Sequence, residues 1–234
     1  MVKYINNTNE YIVDIPGSIK LGDVIDIETG EVVRQLKELG IKFDTEPVVP
    51  EAPNDKSYDN TTKGFKFEAN ADAPSIGGTL SFEKANTVFI RTKGVKIERI
   101  KIGTQNKIGE QILTMRSNHK WLNQWCIVTE LRYAKKSVIV ASKANKAQIE
   151  LICEGSDVAV MGLNQLIDFN IGFGSETNIG HKYFQEEGDY KSVAYKLKGI
   201  NKKYWFSTPV FSTRGESHVT NQSLSDENDF LMDF

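Results

Sequence analysis

Between residues 64 and 91, large apolar side chains recur at every second position. In GFKFEANAD, Phe65, Phe67 and Ala69 alternate with Lys66, Glu68 and Asn70; in NTVFIRT, Val88 and Ile90 alternate with Phe89 and Arg91. Successive side chains of an extended strand point to opposite faces, so a period of two gives each strand two distinct faces, whereas a helix needs a period near 3.6. The turn-like APSIGG between the two runs makes residues 64–93 read as a long β-hairpin. In the next stretch, VKIERIKI, the alternation slips by one residue at Glu98-Arg99, which predicts a β-bulge.

The same texture continues downstream. WCIVTELRYAKKSVIVASKANKAQIELIC reads as three strands, Cys126–Leu131, Ser137–Ala141 and Gln148–Cys153. The unbroken apolar run at 138–141 predicts a strand buried on both faces. LNQLIDFNIGFG, YKSVAYKLKG and KYWFSTPVF supply further strands, and YIVDI and IKLGDVIDI supply short early ones. Two segments carry helical spacing instead. TGEVVRQLKELG sets Val32, Val33, Leu36 and Leu39 on one helical face with Gly40 as a stop, and residues 105–123 carry Ile108, Ile112, Leu113 and Met115. Residues 44–63 hold three prolines and many polar side chains, so they read as an exposed loop. The expected fold class is α+β, a mainly antiparallel twisted sheet with a few peripheral helices. The body spans 1–213, and regular patterning stops near Thr213.

Residues 214–234 have a different character. RGESHVTNQSLSDENDFLMDF sets Arg214 against Glu216, Asp226, Glu227, Asp229 and Asp233, a net −4 in a chain of −2, which leaves +2 on the body. Its acids are interleaved with Phe230, Leu231, Met232 and Phe234, each of which gains roughly 1.5–3 kcal/mol by burial. A mildly basic body with an acidic, apolar tip suits an intramolecular latch, an anionic-surface binder or a nucleic-acid binder, in that order of parsimony.

Both cysteines, Cys126 and Cys153, sit in apolar strand-like runs, and MVKYINN lacks the basic-then-apolar build of a signal peptide, so the expected setting is the cytoplasm with reduced thiols. No run of 18 apolar residues occurs, but amphipathic strands cross bilayers as closed barrels. Catalytic groups are sparse: the histidines are His119, His181 and His218, and HExxH, GxxxxGK[ST], CxxC and GxSxG are absent. GFGSETNIG starts like a dinucleotide loop but has Thr177 where the third glycine belongs, so it reads as a turn region. No enzyme activity, metal or cofactor is expected. Basic residues gather at Arg91, Lys93, Lys96, Arg99 and Lys101, a candidate contact for acidic lipid, and again at Lys196, Lys198, Lys202 and Lys203 around Tyr195, Tyr204 and Trp205.

Two stretches carry a family resemblance. SIKLGDVI (Ser18–Ile25) resembles the Leu-Gly-Asp-Val strand element near the start of gasdermin pore-forming domains, and WCIVTELRYAKKSVIVASKA (Trp125–Ala144) is similar to their central strand–turn–strand segment. The order of elements over 10–212 is similar as well. The resemblance implies a monomer held inactive by its C-terminal tail, cut by an activating protease, which then binds acidic membrane lipid, forms a homo-oligomer and inserts β-hairpins to cause cell death in defence, including antiviral defence. By position the inserting regions are Gly64–Ile102 and about Gly155–Ile200, and the candidate cut lies at Arg214-Gly215. This chain lacks the N-terminal cysteine that some bacterial members lipidate.

The tail also supports a rival reading. An acidic C-terminus finishing in phenylalanine resembles the partner-docking tip of single-stranded DNA-binding proteins, and basic residues interleaved with aromatics suit nucleic acid. No compact run of five strands rich in exposed aromatics accompanies it.

Overall fold

The alternating segments fold as strands, and every strand pairing among the described residues is antiparallel. A computed structural model of the chain describes residues 10–48, 58–59, 64–69, 77–153, 163–201 and 210–213. In order these form β1 (Tyr11–Ile12), β2 (Asp23–Asp26), β3 (Val32–Gln35), β4 (Thr45–Val48), β5 (Tyr58–Asp59), β6 (Phe65–Ala69), β7 (Gly78–Phe82), β8 (Val88–Lys93) and β9 (Lys96–Ile100). Helix α1 (Ile102–Ser117) comes next, then β10 (Trp125–Ala134), β11 (Lys136–Ser142), β12 (Ala147–Cys153), β13 (Ile171–Thr177), β14 (Ile179–Gln185), β15 (Lys191–Asn201) and β16 (Val210–Thr213).

Two four-stranded sheets, ordered β14-β11-β8-β5 and β13-β12-β7-β6, pack face to face. Leu80, Phe82, Phe89, Val138, Val140, Ile149 and Leu151 fill the space between them. The chain crosses from one sheet to the other at three turns, between β7 and β8, β11 and β12, and β13 and β14. Each turn has a residue in the left-handed region: Asn86 (φ 57°), Lys146 (φ 55°) and Asn178 (φ 58°). Asparagine tolerates that conformation better than most side chains. The sandwich is therefore built from stacked strand pairs, with β11 and β12 at its centre.

An eight-stranded sheet runs β1-β15-β10-β2-β3, with β16 on β15, β9 on β10 and β4 on β9. Three strands of the sandwich continue into it: β8 into β9 past Gly94, β11 from β10 past Lys135, and β14 into β15. Helix α1 covers one face of this sheet, setting Ile108 and Ile112 against Val24, Ile100, Ile127 and Trp121. Tyr11, Val13, Val128, Leu131, Tyr195 and Leu197 pack on another face. A register shift between Val128 and Glu130 lets Val128 and Leu131 share that side despite their odd spacing.

Several expectations need correction. The helix predicted over 30–40 is the strand β3 plus one 3-10 turn, Leu36–Leu39, ended by Gly40 in the left-handed region (φ 73°). Val32 and Val33 are 42% and 38% exposed, so the supposed apolar helical face is not buried; the β-branched Val32 pairs with Ile25 of β2 instead, and Val33 falls at a register shift. No bulge occurs at Glu98-Arg99, because β9 pairs with β10 and β4 in unbroken register and Ile97 and Ile100 simply face opposite sides. The run after APSIGG is two strands in two sheets, so only β6 and β7 form a hairpin. Thr45–Val48, inside the expected loop, pairs with β9. The second helix stands, starting three residues early at Ile102 and ending at Ser117. β11 is buried at all seven positions, as its apolar run predicts. The mainly antiparallel β architecture stands, with α1 as the α-helix among the described residues.

Candidate functional site

The LGDV stretch shows why its residues must be these. Gly22 has φ 80° and lies with the Phe43 ring 2.5 Å from where a Cβ would sit, so only glycine fits both the turn and the contact. Asp23 is buried, and its Oδ2 accepts the Lys20 N–H at 2.8 Å, closing the turn before Val24 enters the core. Burial, the largest influence, raises the Asp23 pKa against the lowering effect of that hydrogen bond.

The five cations predicted to meet lipid do not form a free cationic surface. Arg91 is 4% exposed, on the face of β8 that looks into the sandwich. Lys93 lies 3.4 Å from Asp168, Lys96 3.9 Å from Glu98, and Lys101 4.0 Å from Asp44; Arg99 Nε donates to Glu46 Oε1 at 2.7 Å. Asp44, Glu46 and Asp168 are far away in sequence, so local charge counting could not reveal them. Half-exposed pairs of this kind are each worth about 0–1 kcal/mol. In the second basic group, Lys196 lies 2.9 Å from Glu130, and Lys202 and Lys203 fall outside the described residues.

Where the sandwich meets the large sheet, cations and rings converge. The Lys96 ammonium sits 4.7 Å from the Tyr133 ring centroid and 4.9 Å from that of Tyr190, and Lys135 lies 5.4 Å from Tyr190. Burial, aided by Glu98, pushes the Tyr133 hydroxyl pKa up to about 12. Lys136 is buried, donates to the Asp168 carbonyl at 3.3 Å, and has its pKa lowered by burial first and by Lys93 second.

An apolar pocket of about 190 Å³ is lined by β1 and the segment after it, by Gly30 and Val32 at the start of β3, and by Tyr195 of β15. Tyr11 and Tyr195, stacked with centroids 5.5 Å apart, form part of its lining with Val13, Ile19, Ile15 and Val32. Ile15 is 72% exposed, so the pocket presents an uncovered apolar rim. A second, polar groove of about 330 Å³ crosses the outer face of β6, β7, β12 and β13, with Thr79, Ser81, Gln148 and Glu150 in its floor. The tail residues Phe230, Leu231, Met232 and Phe234, and the candidate cut at Arg214 and Gly215, lie outside the described residues.

His119 is exposed just beyond α1, with φ 58°; His181 lies on β14, and burial lowers its pKa although Asp14 opposes the shift. GFGSETNIG is strand β13, a turn at Asn178 and the start of β14, not a strand-to-helix phosphate loop. Among the described residues no helix is long and apolar enough to cross a membrane, and no three His, Cys, Asp or Glu side chains are grouped to hold a metal. No family model matches this chain, and no curated protein is detectably similar to it in sequence.

Proposed function

We propose that this chain is a latent pore-forming protein, cytoplasmic until a protease removes its tail and membrane-bound as a homo-oligomer afterwards, with cell death in defence as the outcome. The observation that carries this reading is the position of the two candidate inserting regions. Within the sandwich the first contributes β6, β7 and β8, the second β13 and β14, and they flank β11 and β12 from opposite sides in both sheets; the same regions also hold β9 and most of β15, which border β10 in the large sheet. Either region can leave while the central pair keeps its own turn and its continuation into β10. The amphipathic burial of β6 and β14 suits strands that exchange one partner for lipid and the other for water. β8 is buried almost throughout, so its release needs a trigger, which a latch removed by proteolysis supplies.

The apolar pocket beside Tyr11 and Tyr195 is the seat we assign to the tail. Thr213 pairs with Lys198 on β15, three positions from Tyr195 in the pocket lining, or about 10 Å along the strand. Sixteen residues separate Thr213 from Phe230, and even partly extended they reach much farther than that. Dye release from acidic liposomes tests the reading. A chain ending at Thr213 should leak vesicles while the full chain does not; equal inertness of both sinks the proposal.

The convergence of Lys96 and Lys135 on Tyr133 and Tyr190 favours a second reading, single-stranded nucleic-acid binding with the tail as a partner-docking tip. Tight, salt-sensitive binding of oligo-dT by either form, without leakage, would select it.

A further inference from the structure

Thr92, Ser137 and Gln185 stand opposite one another on β8, β11 and β14, one row beyond Ile90, Ile139 and Tyr183 on the same face. They form the last row to span all three strands before these bend into the large sheet. Each is at most 5% exposed. Yet Thr92 Oγ1, Ser137 Oγ and Gln185 Oε1 have no hydrogen-bond partner among the described residues. Buried polar atoms are nearly always satisfied, so three orphans in adjacent positions of one row point to a common cause.

The orientation of Gln185 is settled by chemistry. Its Nε2 lies 3.1 Å from the Ala134 carbonyl, 2.9 Å from that of Lys135 and 3.0 Å from that of Asp189; its two hydrogens serve the three with one shared, which only the nitrogen end of the amide can do. Those carbonyls belong to the bend, so the side chain ties the corner together with its nitrogen and leaves its buried oxygen unpaired. The row therefore offers one obligate acceptor and two hydroxyls that donate or accept.

We propose that a buried water molecule occupies this corner, donating to Gln185 Oε1 and bridging the hydroxyls of Ser137 and Thr92. Water fits because it both donates and accepts, and a buried water typically makes about three hydrogen bonds to groups that lack other partners. An anion does not suit an amide oxygen, and the row contains no carboxylate to hold a metal cation. The role is that of a keystone: the backbone must shift partners here, as when the Lys135 N–H donates to the Lys93 carbonyl at 3.1 Å, and the water satisfies what the bend leaves open. This inference is independent of whether the protein forms pores.

The test uses the full chain and depends on a sign. Thr92→Val keeps the side-chain shape and deletes the hydroxyl. If the hydroxyl is bridged, Tm falls by about 2–4 °C, Ser137→Ala falls similarly, and the double variant falls by less than the sum because one water is shared. If the hydroxyl is a true orphan, Thr92→Val leaves Tm unchanged or raises it, and the proposal is overturned. A high-resolution crystal structure of the unaltered protein gives an independent readout. Density within hydrogen-bonding distance of Ser137 Oγ and Gln185 Oε1 supports the site, and an empty corner or a direct Ser137–Gln185 bond overturns it.

Discussion

Arg132 grips Glu10 from across the fold: its Nη2 donates to Glu10 Oε1 at 2.8 Å and its Nε lies 3.3 Å from both carboxylate oxygens. Their side chains are 8% and 2% exposed, so this is a buried ion pair joining the residue before β1 to the C-terminal end of β10. Desolvation offsets most of the attraction, yet removing one partner strands the other charge. Glu10→Ala should therefore destabilise the chain by about 3–5 kcal/mol, whereas replacing both residues with well-packed apolar ones should cost far less. Urea unfolding of the single and double variants checks this; an additive double variant would show that the pair is not coupled.

Gly22 offers a test of the turn in the LGDV stretch. Forcing a Cβ into the left-handed region costs roughly 1–2 kcal/mol, before the displacement of Phe43 is counted. Gly22→Ala should lower stability by at least that much, and Gly40→Ala, which meets no atom within 4 Å, should show the backbone cost alone. Equal losses at both positions would mean that the Phe43 contact contributes nothing.

Much of this fold is legible in the sequence because a period of two is a direct consequence of strand geometry. The alternation in β6 and the apolar run in β11 are visible in the residues alone for that reason. Val32 and Val33 mislead because four apolar residues at helical spacing can also arise from a strand joined to a short turn, and only the partner strand β2 decides between them. The site was less legible. Whether Arg99 or Lys101 is free depends on Glu46 and Asp44, which β4 brings alongside β9 through a pairing that no local pattern encodes. The pocket is likewise assembled from β1, β15 and the edge of β3.

His181 makes stability depend on pH. Burial holds its native pKa below the ordinary 6.5, while the unfolded chain keeps the ordinary value. Between those two values the unfolded state binds more protons, so stability falls as pH drops through 6.5 and the loss is complete below the native pKa. Above 6.5 the residue contributes no slope. Tm measured from about pH 8 to about pH 5.5 should decline, and His181→Gln should flatten that decline; parallel curves would remove His181 as the cause.

If β13 must leave β12 for a pore to form, tying them together should prevent it. Gln148 and Thr177 are opposed in register and both exposed, and opposed Cα atoms in an antiparallel pair lie about 4.5–5.5 Å apart, within disulfide range. Cysteines at both positions in the chain ending at Thr213 should abolish liposome leakage when oxidised and restore it on reduction. A bridge between positions 66 and 81 ties β6 only to β7, which move together, so it should leave leakage intact. The native Cys126 and Cys153 are buried, and burial raises the Cys153 thiol pKa, so neither should interfere. Leakage from the oxidised 148–177 variant would rule out departure of β13.

The latch predicts a cycle between tail and pocket. Burying even two of the tail's apolar side chains gives roughly 3–6 kcal/mol, which ordering a dozen residues largely offsets at about 1–2 kcal/mol each, so the hold is modest. It suffices only because the tail is tethered at an effective concentration near millimolar, and cutting the chain after Arg214 removes that advantage. Phe230→Asp with Phe234→Asp should therefore mimic cleavage, giving leakage and toxicity on expression without a protease. On the other side, Ile15 and Val32 are exposed enough to change without loss of core, so Ile15→Asp with Val32→Asp should have the same effect. Combining the four substitutions should add nothing further, because both pairs break one contact. If the pocket variant stays inert while the tail variant leaks, the tail docks elsewhere on the body; if both remain monomeric and harmless to acidic liposomes, the tail is not a latch and serves a partner instead.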